Sequence, residues 1–328
     1  MTNTNTPFFS VVIPSRNRPK LLRKAVESVI SQTFSNFEII IVNDGSDEQY
    51  ESDIHALVNI APEKISVLTL RRYPRGHGQS YAINSGAWAS QGQYITFLDD
   101  DDFWTDKQHL ENAHRAISQS EDEISLYFAN QLAHNEASGD KKPLWLYPLG
   151  ERLAKENRTQ HTGCYRISKK DLMGCPGFAH LNTTIVKRHV FETIKGMDED
   201  IRYECDLDFY LRVVDASTNT LLNPKIVAEH RVPDPSKSTN MSTAINTYQK
   251  MNYRFYLLNK IIFSSTDEHI VNEAKLRLTF ALKHASAEAT KENKHELALL
   301  YAKQALSTTF TLKWFIYCAY LTLRALGR

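Results

Sequence analysis

Short apolar segments alternate with stretches of helical spacing in the first hundred residues, and this alternation limits the folds that the chain can adopt. The apolar segments are residues 8–13, 38–42, 65–70 and 94–98. Between the first two, apolar residues recur every three or four positions from Leu21 to Ile30, as in an amphipathic helix. Strands that alternate with helices form βαβ units and a mainly parallel sheet. We therefore expect an α/β protein.

Polar clusters follow three of these segments, at the points where the strands are expected to end. Residues 16–18 follow the first, Asn43 and Asp44 the second, and four aspartates, residues 99–102, the last. The carboxyl ends of parallel strands meet at one edge of a sheet, where ligands bind. Four adjacent carboxylates repel one another, and a divalent cation would neutralise them. The run is therefore either a metal site for a phosphorylated ligand or a solvated acidic loop.

The composition is that of an ordinary globular protein, with 328 residues of which 42% are hydrophobic and 23% charged. The formal net charge of +1 gives no indication of nucleic-acid binding, so we expect none. The N-terminal residues carry no signal-peptide core. The four cysteines are scattered without metal or redox spacing, which favours a reduced, cytoplasmic location.

Four motifs in the first third of the chain resemble the family 2 glycosyltransferases, which are inverting enzymes of the GT-A fold. They are SVVIPSRNR at residues 10–18, EIIIVNDGS at 38–46, Gly78 with AINSG at 82–86, and FLDDDD at 97–102. The resemblance implies a GT-A fold with a mainly parallel nucleotide-binding sheet. It also implies a nucleotide-diphosphate sugar as donor, with a UDP-sugar favoured, and a glycan or lipid-linked glycan as acceptor.

The resemblance implies roles for individual residues of the donor site. Asp44 would contact the nucleotide base, Asp99 would lie near the ribose, and Asp101 would bind Mn²⁺ or Mg²⁺. The residues expected to bind the donor are Pro14, Arg16, Asn17, Asp44, Arg71, Gly78, Asp99, Asp100 and Asp101.

A second acidic stretch, residues 196–212, contains the expected catalytic base. In the family an acidic pair at this place ends in the base; here Cys205 replaces the first member and Asp206 matches the second. An N-cap would also explain an aspartate at the start of the helix predicted there, and Glu204 is an alternative base. A further departure is Ile83, where many relatives carry arginine, so Arg71, Arg72 or Arg75 is expected to supply charge instead.

Two histidines in the second half of the chain are candidates for the site. His230 follows a predicted strand, where related GT-A enzymes often place a histidine that reaches the metal or the diphosphate. We expect it to bind the metal with Asp101, although a surface or core histidine is the alternative. His180, with Asn182, is a weaker candidate for the acceptor side. Residues 236–239 are expected to form a mobile loop over the diphosphate.

Residues 134–148 are polar and irregular, and we expect a variable loop over the site, where substrate preference is often determined. Trp145 and Tyr147 from this segment, with Tyr165, are candidates for a sugar-binding platform. Simple packing of these aromatic side chains is the alternative.

We expect three regions along the chain. They are a nucleotide-sugar-binding half of the GT-A domain (1–130), an acceptor-binding half (131–239) and a C-terminal helical region (240–328).

The end of the helical region, residues 310–328, is unusually aromatic. Its uncharged part is too short to span a bilayer, which needs about 20 residues. Lys313, Arg324 and Arg328 fall on one side of a helix, which suits contact with an anionic membrane. The protein would then be peripheral on the inner face of the plasma membrane. Packing on the catalytic domain or on a second subunit, as a homodimer, is the alternative.

The sequence thus predicts an inverting glycosyltransferase in which Asp206 acts as general base. Two other functions stay open at this point. One is a phosphatase of the haloacid dehalogenase type, which also places Asp-x-Asp after a strand. The other is a non-catalytic protein that binds a sugar nucleotide or glycan.

Overall fold

The structure is a computed structural model that describes residues 6–232 and 245–326. The chain divides into two compact units, Met1–Asn240 and Met241–Arg328. The loop predicted at residues 236–239 lies outside the described residues, as does the boundary predicted after residue 239.

One sheet, with eleven strands in the described residues, forms the framework of the first unit. In chain order the strands are β1 (Phe9–Ser15), β2 (Phe37–Asn43), β3 (Ile65–Thr69), β4 (Tyr94–Phe97), β5 (Phe103–Trp104), β6 (Leu126–Asn135), β7 (Lys141–Pro143), β8 (Gln160–His161), β9 (Cys164–Ile167), β10 (Thr184–Lys187) and β11 (Thr220–Val232). Their spatial order is β3-β2-β1-β4-β10-β6-β11-β9-β8, with β5 beside β11 and β7 beside β6.

The four strands that come first in the chain are all parallel to one another. Beyond β4 the sheet is mixed, because β10 runs antiparallel to both of its neighbours while β6 and β11 are parallel. The predicted α/β fold with a mainly parallel sheet is therefore confirmed.

Helices connect the strands of the first unit. They are α1 (Pro19–Ile30), α2 (Glu48–His55), α3 (Gln79–Ala89), α4 (His109–Ser118), α5 (Tyr147–Lys155), α6 (Lys169–Met173), α7 (Arg188–Thr193) and α8 (Cys205–Ala216), with 3₁₀ turns at Ala56–Ile60 and Leu181–Thr183.

Helices α1 and α3 lie on opposite faces of the sheet, because successive residues of a strand point to opposite sides. Val11 and Ile13 of β1 share a buried cluster with the apolar side of α1. Val12, between them, faces Gly86 of α3 instead. Both faces of the central strands are therefore buried, which explains their nearly continuous apolar sequence.

Strand β1 extends two residues past the predicted segment 8–13 and therefore includes Pro14. Proline has no N–H to donate and is normally excluded from a central strand. However, β4 pairs with β1 only as far as Val12, whereas β2 pairs with it as far as Ser15. Pro14 therefore lies where β1 has a single neighbour.

The segment predicted as an irregular loop, residues 134–148, is more ordered than expected. Strand β7 turns back and pairs with β6, with Leu132 opposite Pro143, and α5 begins at Tyr147. The sequence does not predict β7, because this strand is short and largely exposed and therefore has no apolar periodicity.

The described part of the second unit consists of helices, as predicted for the C-terminal region. They are α9 (Thr247–Ser264), α10 (Glu268–Lys291), α11 (His295–Thr308) and α12 (Leu312–Leu326). Small residues let them approach closely: Ala298 and Ala302 of α11 pack against Cys318 and Leu321 of α12. Among the described residues, no helix is both long and apolar enough to cross a membrane.

The contact between α3 and the sheet predicts the effect of a small substitution. A Cβ atom at Gly86 would lie 2.6 Å from Cγ1 of Val12 and 2.7 Å from Cγ2 of Val42. Gly86→Ala should lower the stability by about 1–3 kcal/mol through overpacking, although Gly→Ala in a helix normally stabilises. Urea unfolding followed by tryptophan fluorescence measures the change, with Ser85→Ala as the control. A variant as stable as the wild type would contradict this packing.

Candidate functional site

The four aspartates that follow β4 do not form a solvated loop. The side-chain exposures are 20% for Asp99, 2% for Asp100, 18% for Asp101 and 0% for Asp102. Ionised carboxylates at this depth are stable only when other groups compensate their charge. Two separate sets of partners do so.

The first set of partners comes from the end of β1 and the loop that follows it. The Arg18 guanidinium lies 3.0 Å from Asp100 and 2.8 Å from Asp101, and the Ser15 hydroxyl donates a hydrogen bond of 2.6 Å to Asp100. Burial raises the pKa of Asp100 to about 7, although Arg18 opposes the shift. Arg18 thus compensates part of the negative charge of the middle two aspartates from within the chain.

The second set brings the outer two aspartates together with two histidines. Ligand atoms of Asp99, Asp102, His180 and His230 all lie within 4.8 Å of one another. Nδ1 of His230 is 2.7 Å from the carboxylate of Asp102. We call these four residues the acid–imidazole cluster.

Neighbouring donors hold the two carboxylates of this cluster in place. The Asn182 amide donates to Asp102, and its oxygen accepts the backbone N–H of Asp99 at 2.9 Å. The Gln79 amide donates to Asp99 at 2.8 Å, and the backbone N–H of Arg231 donates to Asp102 at 2.7 Å. Each carboxylate is thus oriented by at least one hydrogen bond.

The pKa values in the cluster shift in different directions. Burial raises the pKa of Asp99 well above its usual range, and the charges of the other aspartates add to the shift. Burial also raises the pKa of Asp102, but its bond to His230 outweighs this, so the net change is downward. The pKa of His180 falls to about 3, mainly through burial. His180 is therefore neutral at pH 7, and its Nδ1 accepts the backbone N–H of Asn182 at 3.4 Å.

The cluster differs from the predicted metal site. His230 belongs to it as expected, but the structure places Asp101 outside it, because Arg18 holds the Asp101 carboxylate. Asp102 was not predicted as a site residue, and His180 was predicted only for the acceptor side. His180 comes close to Asp99 through the pairing of β10 with β4, and the pairing of β11 with β6 brings His230 to Asp102. The sequence does not reveal either pairing.

Asp44 lies at the end of β2, on the other side of β1 from the cluster. Its carboxylate accepts the backbone N–H groups of His77 and Gly78 at 2.9 and 3.1 Å. A Cβ atom at Gly76 would lie 2.6 Å from this carboxylate, so only glycine fits there without a shift. Asp44 therefore shapes the loop that leads into α3.

The other predicted donor residues surround the same loop. Arg16 donates to the carbonyl oxygen of Pro74 at 3.0 Å. Asn17, which has a positive φ of 60°, exchanges hydrogen bonds with Asp47 at 2.9 and 2.7 Å. Gly78 precedes α3 with a φ of 102°, and Arg71 lies on the exposed chain after β3. The loops after β1 and β2 and the loop before α3 thus contact one another.

A further cation near this loop was not predicted. The Arg202 guanidinium donates to the carbonyl oxygen of His77 at 3.0 Å, and its nearest atom is 3.5 Å from where a Cβ atom on Gly78 would lie. Ile83, which replaces the usual arginine, is fully buried in the core. Arg202 brings a positive charge to the N-terminus of α3 from a different part of the chain.

Asp206 lies in the first turn of α8, two residues after the N-cap position, which Glu204 occupies. The N-cap alternative for Asp206 is therefore wrong. Burial raises the pKa of Asp206 to about 6, although the N–H of Leu207 donates to its carboxylate at 2.9 Å. The charge of Glu204 adds to this shift, and that of His230 opposes it.

The neighbours of Asp206 hold the start of α8 in place. Cys205 donates through its thiol to the side-chain oxygen of Gln79 at 3.6 Å, and Gln79 in turn bonds to Asp99. The buried Asp208 pairs with Arg212 at 2.8 Å, and Arg212 also donates to the carbonyl oxygen of Gly196 at 2.7 Å. These contacts connect α8 to the loop before it and to the cluster.

Comparisons with known proteins identify the family to which the chain belongs. The sequence model of glycosyl transferase family 2 matches residues 10–188, more than half of the chain. The chain is 29% identical over 208 residues to the amylovoran biosynthesis glycosyltransferase AmsB of Erwinia amylovora, covering 62% of this chain and 63% of that protein. It is 27% identical over 217 residues to the succinoglycan biosynthesis protein ExoW of Rhizobium meliloti, covering 60% and 62%. The aligned part is less than two thirds of each relative.

Solved structures show the same fold at low sequence identity. TarS of S. aureus in complex with UDP-GlcNAc has a TM-score of 0.68 at 15% identity, over 92% of this chain and 81% of that one. The mannosyltransferase PcManGT of Pyrobaculum calidifontis, in complex with GDP-Man and Mn²⁺, has a TM-score of 0.54 at 14% identity, over 98% and 87%. The expected GT-A fold is confirmed. Since the family model matches more than half of the residues of this chain, the chain belongs to glycosyl transferase family 2 and is a glycosyltransferase.

Proposed function

We propose that the protein transfers a sugar, with inversion, from a UDP-sugar to a hydroxyl group of a glycan or lipid-linked glycan, and that the reaction depends on a metal ion. The observation that carries the proposal is the acid–imidazole cluster at the end of β4 with Asp206 near it. A single displacement needs a base for the acceptor hydroxyl and positive charge near the leaving diphosphate. It needs no enzyme nucleophile.

The acid–imidazole cluster has the ligand chemistry of a divalent metal site. Asp99 and Asp102 offer carboxylate oxygens, and His180 and His230 offer imidazole nitrogens. This mixed set suits Mn²⁺ better than Mg²⁺, which prefers oxygen ligands alone. When bound, the ion would act as a Lewis acid that neutralises charge on the leaving diphosphate. Asp101 stays the alternative ligand, and it would bind the metal if its carboxylate turned away from Arg18.

The donor would lie along the strand ends from β2 to β4. The loop shaped by Asp44 would take the base, as the family resemblance implies, and the cluster would face the diphosphate. Arg202, at the N-terminus of α3, adds a positive charge and donor groups that suit phosphate oxygens. UDP is favoured because TarS, a structural neighbour, has been solved with UDP-GlcNAc.

Asp206 would act as the general base. A base is most effective when its pKa is near the working pH, and burial has moved that of Asp206 to about 6. At pH 7 it is mostly ionised and can accept the proton of the attacking hydroxyl. The contacts of Gln79 with Cys205 and Asp99 would fix the position of α8 relative to Asp99.

The acceptor is proposed to be a growing polysaccharide. The names of AmsB and ExoW refer to amylovoran and succinoglycan biosynthesis, and the same class of product is our proposal for this chain. The family match favours glycosyl transfer over the phosphatase hypothesis. The cytoplasmic location inferred from the cysteines stays a prediction.

Helix α12 would place the protein on an anionic membrane surface. One side packs on α11, whereas the other exposes Leu312 (67%), Phe315 (50%), Ile316 (59%) and Leu323 (72%). The charged side chains of α12 are Lys313 and Arg324, and it has no acidic residue. At 100° per residue the two cations lie together at one border of the apolar face, an arrangement that suits a helix in the plane of a membrane. A homodimer through this face is the alternative.

The metal site can be tested by nucleotide binding. A nucleotide at 100 times its Kd stabilises a protein by about 2.7 kcal/mol. We expect UDP, rather than GDP, dTDP or CDP, to raise the melting temperature in the presence of Mn²⁺. Asp99→Asn should abolish the Mn²⁺-dependent part of this rise in melting temperature. Asp101→Asn should retain it, and it is a matched control because Asp101 and Asp99 are similarly exposed. If only Asp101→Asn loses the Mn²⁺-dependent stabilisation, Asp101 is the metal ligand. That result would contradict the proposal that the acid–imidazole cluster binds the metal.

The base can be tested by donor hydrolysis, in which water replaces the acceptor and UDP release is measured. Asp206→Asn should lower the rate about 10²–10⁴-fold without loss of UDP binding, and Glu204→Gln should have little effect. In the wild type the rate should fall as the pH drops below about 6, because Asp206 becomes protonated.

The stability of Asp206→Asn is the control for this test. The folded-state pKa of Asp206 lies above its unfolded value, so the ionised carboxylate destabilises the fold above pH 6. The variant should therefore melt no lower than the wild type at pH 8. A reversed pattern, with activity lost in Glu204→Gln and retained in Asp206→Asn, would assign the base to Glu204.

Membrane contact can be tested by sedimentation with vesicles. The full chain should bind vesicles of phosphatidylcholine with one quarter phosphatidylglycerol, and less so in high salt. Leu312→Ser/Ile316→Ser should reduce binding about tenfold, while Phe263→Ser, at an exposed phenylalanine of α9, should not. Binding unchanged by the double substitution would contradict the membrane proposal. If size-exclusion chromatography instead shows a dimer that this variant dissociates, α12 meets a second copy.

A further inference from the structure

Trp145, between β7 and α5, has a backbone conformation that bulky residues rarely adopt. Its φ is 59°, in the left-handed region. Two features of the turn at residues 174–177 accommodate it. A Cβ atom at Gly177 would lie 2.1 Å from the carbonyl oxygen of Trp145, so only glycine fits there, and the thiol of Cys175 donates to the same oxygen at 3.8 Å. The next residue, Leu146, is fully buried. The surrounding structure therefore imposes the position of the indole.

This imposed position brings the indole against both histidines of the acid–imidazole cluster. The Trp145 ring lies 5.6 Å from that of His180 and 5.4 Å from that of His230, edge to face in both cases. The two imidazoles are 4.7 Å apart. Trp145 is only partly buried, so part of the indole is available for a ligand next to the cluster.

The order of the strands places Trp145 on the side away from the predicted nucleotide site. Asp44 follows β2, Asp99 follows β4, and His180 precedes β10, which is the next strand across the sheet. Trp145 follows β7, which pairs with β6, the strand beyond β10. A donor that extends from Asp44 to the cluster would place its sugar there, and Trp145 would border the space beyond it.

We propose that Trp145 is the platform on which a sugar ring of the acceptor stacks. The proposal rests on the proposed function, since it identifies the acceptor side of the same site. The face of an indole is electron-rich, and the C–H groups on one face of a pyranose are slightly positive, so the two attract while the sugar hydroxyls stay free for hydrogen bonds. Stacking would hold an acceptor hydroxyl between the donor and Asp206. The acceptor class is therefore a pyranose, either free or at the end of a glycan.

Tyr147 and Tyr165 do not share this placement. Tyr165 is 4% exposed and belongs to β9, so its ring is not available to a ligand. Tyr147 begins α5, and no contact connects it with the cluster in the residues that the structure describes. Of the three aromatic residues singled out by sequence, Trp145 is the one adjacent to the acid–imidazole cluster.

The platform can be tested by sugar binding to the full chain. The probes are the methyl glycosides of glucose, galactose, mannose and N-acetylglucosamine, observed by saturation-transfer NMR with UDP and Mn²⁺ present. We expect the wild type to bind at least one of them, Trp145→Ala to bind it about tenfold more weakly, and Trp145→Phe to recover part of the affinity. The matched control is Trp88→Ala, because Trp88 is 50% exposed on α3 and contacts Phe191 rather than the cluster.

Donor hydrolysis separates this proposal from the proposed function. Hydrolysis of a UDP-sugar by the wild type, in which water replaces the acceptor, tests the proposed function without involving the platform. The proposal is overturned if Trp145→Ala binds the glycosides as the wild type does, if it weakens binding no more than Trp88→Ala, or if the wild type binds none of the four. Failure of the wild type to hydrolyse any UDP-sugar would instead count against the proposed function, and glycoside binding would still test the platform.

Discussion

Four adjacent carboxylates at the end of a buried strand are the constraint on which the rest of this structure depends. The repulsion among them is relieved by groups from distant parts of the chain. Arg18, from the loop after β1, pairs with the middle two, whereas His230, from β11, and Asn182, before β10, bond to Asp102. These contacts draw the parallel half of the sheet and the mixed half to one edge. The charge distribution that the proposed chemistry requires therefore also connects the two halves of the first unit.

Burial shifts the pKa values of Asp206 and His180 in opposite directions, because it disfavours the charged form of each group. It raises the pKa of Asp206 to about 6 and lowers that of His180 to about 3. The same desolvation that makes the carboxylate a stronger base keeps the imidazole neutral. His230 behaves differently from His180, because its direct bond to Asp102 outweighs burial and raises its pKa. The same desolvation thus accounts for the pKa of the proposed base and for the neutral imidazole of His180.

The two departures from the family pattern have structural explanations. Ile83 is completely buried among apolar side chains, so an arginine at this position would have to place its charge in the core or turn away from it, and Arg202 supplies a cation near Gly78 instead. Cys205 keeps a polar contact where the family has a carboxylate, since its thiol bonds to Gln79. A neutral thiol adds no further negative charge next to Asp99 and Asp206. Both replacements are therefore compatible with an active site.

Local patterns in the sequence were sufficient for the parallel strands and the C-terminal helices, and they also indicated many of the functional positions. Apolar periodicity predicted the parallel strands and the C-terminal helices, and the strand ends predicted that Asp44 and the aspartate run lie at one edge. The roles of Asp102 and His180 and the position of Trp145 could not be inferred in this way. The first two depend on the pairing of strands that are far apart in sequence and on the pairing of Arg18 with Asp101. The third depends on Gly177, which leaves room for the strained backbone of Trp145. The sequence by itself thus determined the parallel strands, the C-terminal helices and which charged side chains follow the strands, because these features depend on neighbours along the chain. Only the tertiary structure decided which charges meet, because that depends on contacts between residues far apart in sequence.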